Sequence, residues 1–154
     1  MPYKPNLRKK LTRQEQRDLD VEINFVEGIV RRAPDYIEAL QLLGDGYTKR
    51  GRLDEGLRID ERLAQLQPDD PMTHYNLACS YSLTEHYNSA FSALERALSL
   101  GYYDFKWLAK DPDLLNLRRH PLYKKIRDKV RSMQIVVSGD FLFLSFGVAG
   151  RLAS

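Results

Sequence analysis

Cys79 is the single cysteine among 154 residues, so no internal disulfide can form, and a reducing compartment, the cytoplasm, is the expected location. The N-terminal stretch MPYKPNLRKKLTRQEQRD is basic but has no apolar run of the kind that directs secretion. Long hydrophobic runs are also missing. The most apolar region, residues 135–150, is too short to span a bilayer as a helix and is broken by Asp140 and by glycines, so no membrane span is expected. The three histidines, His74, His86 and His120, lie far apart and match no ligand spacing. No glycine-flanked nucleophile and no Ser-His-Asp order stands out.

Charge of one sign is scarce wherever a nucleic acid would need it. The net charge of +3 conceals segments of +3 (residues 1–34), −6 (35–104) and +6 (105–154). A phosphate backbone wants one continuous basic surface, so nucleic acid is an unlikely partner; the basic C-terminal segment alone could meet an anionic partner or a membrane surface. Hydrophobic residues at 43% and charged residues at 29% fit a soluble, globular chain.

Two local patterns invite a chemical reading and lose it. GYTKRGRL (46–53) nearly spells a phosphate-binding loop, but Arg52 and Leu53 stand where a lysine and a hydroxyl belong, and the preceding apolar phase is helical rather than that of a strand. Asp69-Asp70 and Asp111-x-Asp113 could suggest a metal, yet both flank prolines at helix starts, where carboxylates favour the helix dipole. The helical phase places no histidine near Cys79, which reads as a small buried or half-buried thiol. The expectation is a non-catalytic chain with no cofactor, no metal and no small-molecule substrate.

What the chain does have is a period. Residues 37–70 align with 71–104 at an offset of 34: Leu43 on Leu77, Gly44 on Ala78, Tyr47 on Tyr81, Gly56 on Ala90, Ala64 on Leu98. Apolar residues at three- and four-residue spacing make each copy two helices and a turn, with small residues at 44, 56, 78 and 90 for close helix approach. Gly51 is expected to end the first helix and Asp54 to cap the next. Residues 13–33 read as one helix with Leu19, Ile23, Val26, Ile29 and Val30 inward, opened by a Thr12/Glu15 capping box. A short helix is expected from Pro121.

This pattern resembles the tetratricopeptide repeat. The first copy supplies Leu40, Leu43, Gly44, Tyr47, Gly56 and Pro68, and the second supplies Leu77, Ala78, Tyr81, Ala90, Leu94 and Ala97. His74, Asp60 and Tyr102 depart from the family pattern. Residues 104–130, with Trp107-Leu108, Asp111-Pro112-Asp113-Leu114, Leu117-Arg118, Pro121 and Tyr123, resemble the closing segment of many bacterial tetratricopeptide proteins. The resemblance implies an all-α, short helical solenoid of about three helix-turn-helix units with a capping C-terminal helix. Its divisions would be a basic arm (1–12), a helical domain (13–132; partial unit 13–36, repeats 37–70 and 71–104, closing segment 105–132) and an apolar tail (133–154).

The resemblance also implies a concave groove that binds a protein or peptide, making the chain an adaptor. Carried over by phase, the groove would hold Glu38, Gln41, Leu42, Asp45, Thr48 and Lys49, then Met72, Tyr75, Asn76, Cys79, Ser82 and Leu83, then Lys106 and Lys110. Asn76, Lys106 and Lys110 match three positions of the family's clamp for a terminal carboxylate, whereas Gln41 and Asp45 depart from it and Asp45 would repel such a ligand. A chaperone for secreted or assembling subunits is the alternative within binding. The tail, Gln134–Val137 and Phe141–Phe146 around Ser138-Gly139-Asp140, reads as β-prone segments about a turn. Three fates remain open for it: folding back over the helices, pairing into a homodimer as a self-assembly module, or mobility. Burial of Phe141, Leu142, Phe143, Leu144 and Phe146 against some surface is expected, because exposed they would promote aggregation.

Overall fold

The computed structural model describes the backbone of residues 10–148 and the side chains of residues 10–136. The chain is all-helical, with no strand among the described residues. Its elements are α1 (Arg13–Arg32), α2 (Ile37–Arg50), α3 (Leu53–Leu66), α4 (Pro71–Leu83), α5 (Tyr87–Ser99), α6 (Phe105–Leu108), a 3-10 turn (Pro112–Leu114), α7 (Leu115–Arg119) and α8 (Tyr123–Val148). From α1 to α5 each helix packs on the next in sequence; the 3-10 turn and α7 then sit on α4, and α8 rests on α5 and α7.

Local chemistry explains most of the boundaries. Thr12 and Glu15 form the expected capping box, the Glu15 amide donating to Thr12 Oγ1 (3.2 Å) and the Thr12 amide to Glu15 Oε2 (2.8 Å). Ile23 and Val26 of α1 are buried against Ala39, Leu43 and Tyr47 of α2. Gly46 makes that approach possible, since a Cβ there would lie 3.1 Å from Ile23 Cγ1. The glycine that resembled part of a phosphate loop is therefore a helix–helix contact. A second contact of this kind joins α2 to α3, where a Cβ on Gly56 would come within 2.9 Å of Thr48 Oγ1. A larger core links α4 and α5 to the closing segment through Ala78, Leu94, Leu98, Leu114, Leu117 and Ile126.

Individual bonds recur at the sequence offset of 34. Tyr47 donates to Glu27 (2.7 Å), and Tyr81 donates to Glu61 (2.8 Å). Arg62 pairs with Asp35 as Arg96 pairs with Asp69. The turns also match: the amides of Gly51 and Arg52 bond to Thr48 and Tyr47 carbonyls, and those of Glu85 and His86 to Ser82 and Tyr81 carbonyls. Both turns pass through left-handed backbone, at φ 82° for Gly51 and φ 63° for Glu85.

Several expectations need correction. Asp54 does not cap α3; Arg52 holds the N-cap position, because the Gly51 turn leads directly into the helix, and Asp54 lies in the first turn. Lys49, Arg50 and Arg52 pair at the partly exposed surface with Asp45, Asp20 and Glu55 respectively. The last helix begins at Tyr123 rather than Pro121, whose residue pair is used in the turn after His120. It is also not short. The expected β-prone tail is helix through Val148, so α8 crosses the 132–133 boundary without a break. Its first turns are anchored by buried Tyr123 and Ile126, and adding a residue to an existing helix costs far less than nucleating a hairpin with no sheet beside it. Ile135 and Val136 are exposed at 65% and 62%. The expected burial of Phe141 to Phe146 falls outside the described side chains.

Candidate binding surface

The residues expected to face a ligand divide into two groups. On α2, Glu38, Gln41 and Leu42 are exposed, and Asp45 and Lys49 are half-buried, joined at 2.9 Å. On α4, Asn76 is exposed and Met72 and Leu83 are half-buried, but Tyr75, Cys79 and Ser82 are buried. Thr48 is buried too, its hydroxyl donating back to the Gly44 carbonyl (2.9 Å). Lys106 and Lys110 are exposed, with the Lys110 ammonium 5.8 Å from the centre of the Trp107 ring.

Asp111 is what covers the α4 half. Its Oδ2 accepts from the Tyr75 hydroxyl (2.6 Å) and from Trp107 Nε1 (2.5 Å), with the Cys79 sulfur 3.9 Å away. Its Oδ1 accepts the Asp113 amide (3.0 Å), which caps the 3-10 turn. Arg118 donates to the Asp111 carbonyl (2.6 Å), and the Leu117 amide to Ser82 Oγ (3.3 Å). Tyr102 stacks on Tyr75 with ring centres 4.1 Å apart and planes 6° from parallel. The closing segment thus occupies the surface that Tyr75 and Cys79 would have offered.

The chemistry of this hub is structural. Burial, reinforced by Asp111, Asp113 and Asp60, pushes the Cys79 thiol well above its usual value, so it stays protonated and is a poor nucleophile. Burial likewise holds the Tyr75 phenol far above the usual range. The ligand atoms of Cys79, Asp111 and Asp113 lie within 4.8 Å of one another, a spacing a cation could use. However, both oxygens of Asp111 already accept protein N–H or O–H donors, and a cation would have to displace them.

The α2 half is different. Asp45 is pushed up to about 7, first by burial and then by the nearby charges of Glu22 and Asp60. One of its oxygens meets Lys49, and the other is buried with no hydrogen-bond partner among the described residues. Asp60 of α3 is pushed up to about 6 by burial, opposed by a hydrogen bond from the Ser80 hydroxyl. It lies beside Gly44, where an added Cβ would be 3.3 Å from Asp60 Oδ1. The charges of Glu22 on α1 and Asp60 on α3 thus reach Asp45 on α2, which also pairs with Lys49, one turn from the exposed Gln41 and Leu42. Such a cluster favours a cationic group over an anionic one.

Asp60, Tyr102, Trp107 and Asp111 were not among the expected ligand-facing residues. Asp60 had a visible signal, as a carboxylate at a position where the repeat pattern has an aromatic.

No family model matches the chain. A stretch of 92 residues, 58% of the chain, is 37% identical to a curated chloroplastic protein of Arabidopsis thaliana. The chain spans about a quarter of the length of that relative, 26% of it. The relative's name places it in the chloroplast of a plant, whereas the closing segment resembled bacterial proteins and the expected location was the cytoplasm.

Proposed function

We propose that the chain is a tetratricopeptide-type repeat unit that binds an extended protein segment without catalysing a reaction, and that the open α2 face is where the segment lies. The observation that carries this reading is the recurrence of bonds at an offset of 34, Tyr47–Glu27 with Tyr81–Glu61 and Asp35–Arg62 with Asp69–Arg96. Repeat arrays of this kind use their extended surface for partners. Leu42, exposed at 55%, offers apolar contact, and Gln41 and Asn76 offer hydrogen bonds to a peptide backbone. Asp45 and Asp60 select a lysine or arginine side chain. The histidines support a non-catalytic reading: His74 contacts the Pro68 carbonyl, His86 contacts Thr84, and His120 stacks on Tyr87.

Fluorescence anisotropy with two extended peptides of equal length, one bearing lysine and one bearing glutamate, tests this. The lysine peptide should bind at least tenfold more tightly. Its affinity should rise with pH through about 7, because only the deprotonated Asp45 attracts a cation. Asp45→Asn should weaken the preference and flatten its rise near pH 7, leaving the smaller contributions of Glu22 and Asp60. Equal binding of the two peptides, or a preference that Asp45→Asn leaves undiminished, would refute the assignment.

A further inference from the structure

Beyond this binding role, we propose that the distal part of α8 is an interfacial helix that lies on anionic lipid bilayers. The near half of α8 belongs to the body: Tyr123 and Ile126 are buried, and Val130 and Met133 pack against the same core. Beyond Met133 the described side chains, Gln134, Ile135 and Val136, are exposed. From residue 135 to 148 the sequence IVVSGDFLFLSFGV has nine apolar residues out of fourteen and a single charge, Asp140. A helix of that length covers about 21 Å, short of the roughly 30 Å hydrocarbon core. No helix among the described residues is long and apolar enough to cross a membrane.

A basic collar precedes the apolar stretch. Arg119, Lys124, Lys125, Arg127 and Arg131 are all exposed, against one exposed carboxylate, Asp128. Arg127, Arg131 and Ile135 follow at four-residue intervals, so the exposed cationic face of α8 continues directly into exposed apolar surface. Apolar helix surface to bury and adjacent cations that attract anionic headgroups are the two contributions that set the strength of interfacial binding. Parallel pairing of two copies along α8 would instead set Arg127 and Arg131 against their own counterparts.

Co-sedimentation of the full chain with vesicles tests the proposal, using phosphatidylcholine alone and phosphatidylcholine with about 30% phosphatidylglycerol. The chain should pellet with the anionic vesicles and stay in solution with the neutral ones, and added salt should release it. Arg127→Glu/Arg131→Glu should weaken binding by at least tenfold, since each cation near such a surface is worth about fivefold. Phe141→Asp/Leu144→Asp should abolish binding while circular dichroism shows the helical body intact. The idea fails if the full chain ignores anionic vesicles, or if both variants bind as it does. It also fails if light scattering shows a dimer that the Phe141/Leu144 variant splits and vesicles bind neither form; that result assigns the tail to a second copy.

Discussion

The α2–α3 and α4–α5 pairs share a period, a turn geometry and a set of bonds, yet one is open and the other covered. On α2, Gln41 and Leu42 face solvent, and Asp45 keeps a buried oxygen without a partner among the described residues. On α4 the equivalent ground is taken by the closing segment, and Tyr75 and Cys79 are buried beneath Asp111, Trp107 and Tyr102. The repeat phase sets where a side chain points. What covers it is decided by residues 27 to 36 positions away. The two halves can therefore be made more alike or more different by single changes.

The largest effect should come from uncovering α4. Asp111→Ala leaves the Tyr75 hydroxyl and the Trp107 indole N–H without their acceptor in a buried place, at a cost of about 3 kcal/mol. Urea denaturation should show that loss. Cys79, buried in the parent chain, should become reactive to a thiol reagent under native conditions. An unchanged midpoint and an unreactive thiol would mean that Asp111 does not hold the cover in place.

A smaller effect, of opposite sign, is expected from the open half. The folded-state value of Asp45 is raised to about 7 from an ordinary 3.8, so the fold favours its protonated form. That contribution is fully present below about pH 4 and is lost as pH rises through about 7. Asp45→Asn should therefore flatten the decline in stability between pH 4 and pH 8, by about 1–2 kcal/mol once solvent screening at this half-buried site is allowed for. Parallel pH–stability curves for parent and variant would exclude this role.

The smallest effect separates the two turns. Glu85 holds a left-handed conformation that Gly51 holds without strain. Glu85→Gly should stabilise by about 1 kcal/mol and Gly51→Ala destabilise by a similar amount, read from thermal midpoints. Equal signs would break the equivalence of the turns.

The helices themselves were legible because Leu43, Tyr47, Leu77 and Tyr81 keep a three-to-four-residue phase, and the Gly51 turn because only glycine advertises positive φ. The Glu85 turn carries no such mark, since its conformation is imposed by the same bonds to Ser82 and Tyr81 rather than by residue type. The burial of Cys79 was expected from its type, whereas that of Tyr75 was illegible for a different reason. It depends on long-range docking of Asp111, which local spacing reads only as a helix cap. The packing role of Gly46 could not be read locally, because its contact, Ile23, lies on another helix. The tail misled because Val, Ile and Phe suit strands on their own, while the anchored turns of α8 extend the helix through them.

The most direct test of the account is a nuclear magnetic resonance titration of the full chain with the lysine-bearing peptide. Amide shifts should move at Gln41, Leu42, Asp45 and Asn76 and stay fixed at Tyr75 and Cys79 beneath the closing segment. Shifts centred on Tyr75 and Cys79 with α2 silent would contradict it.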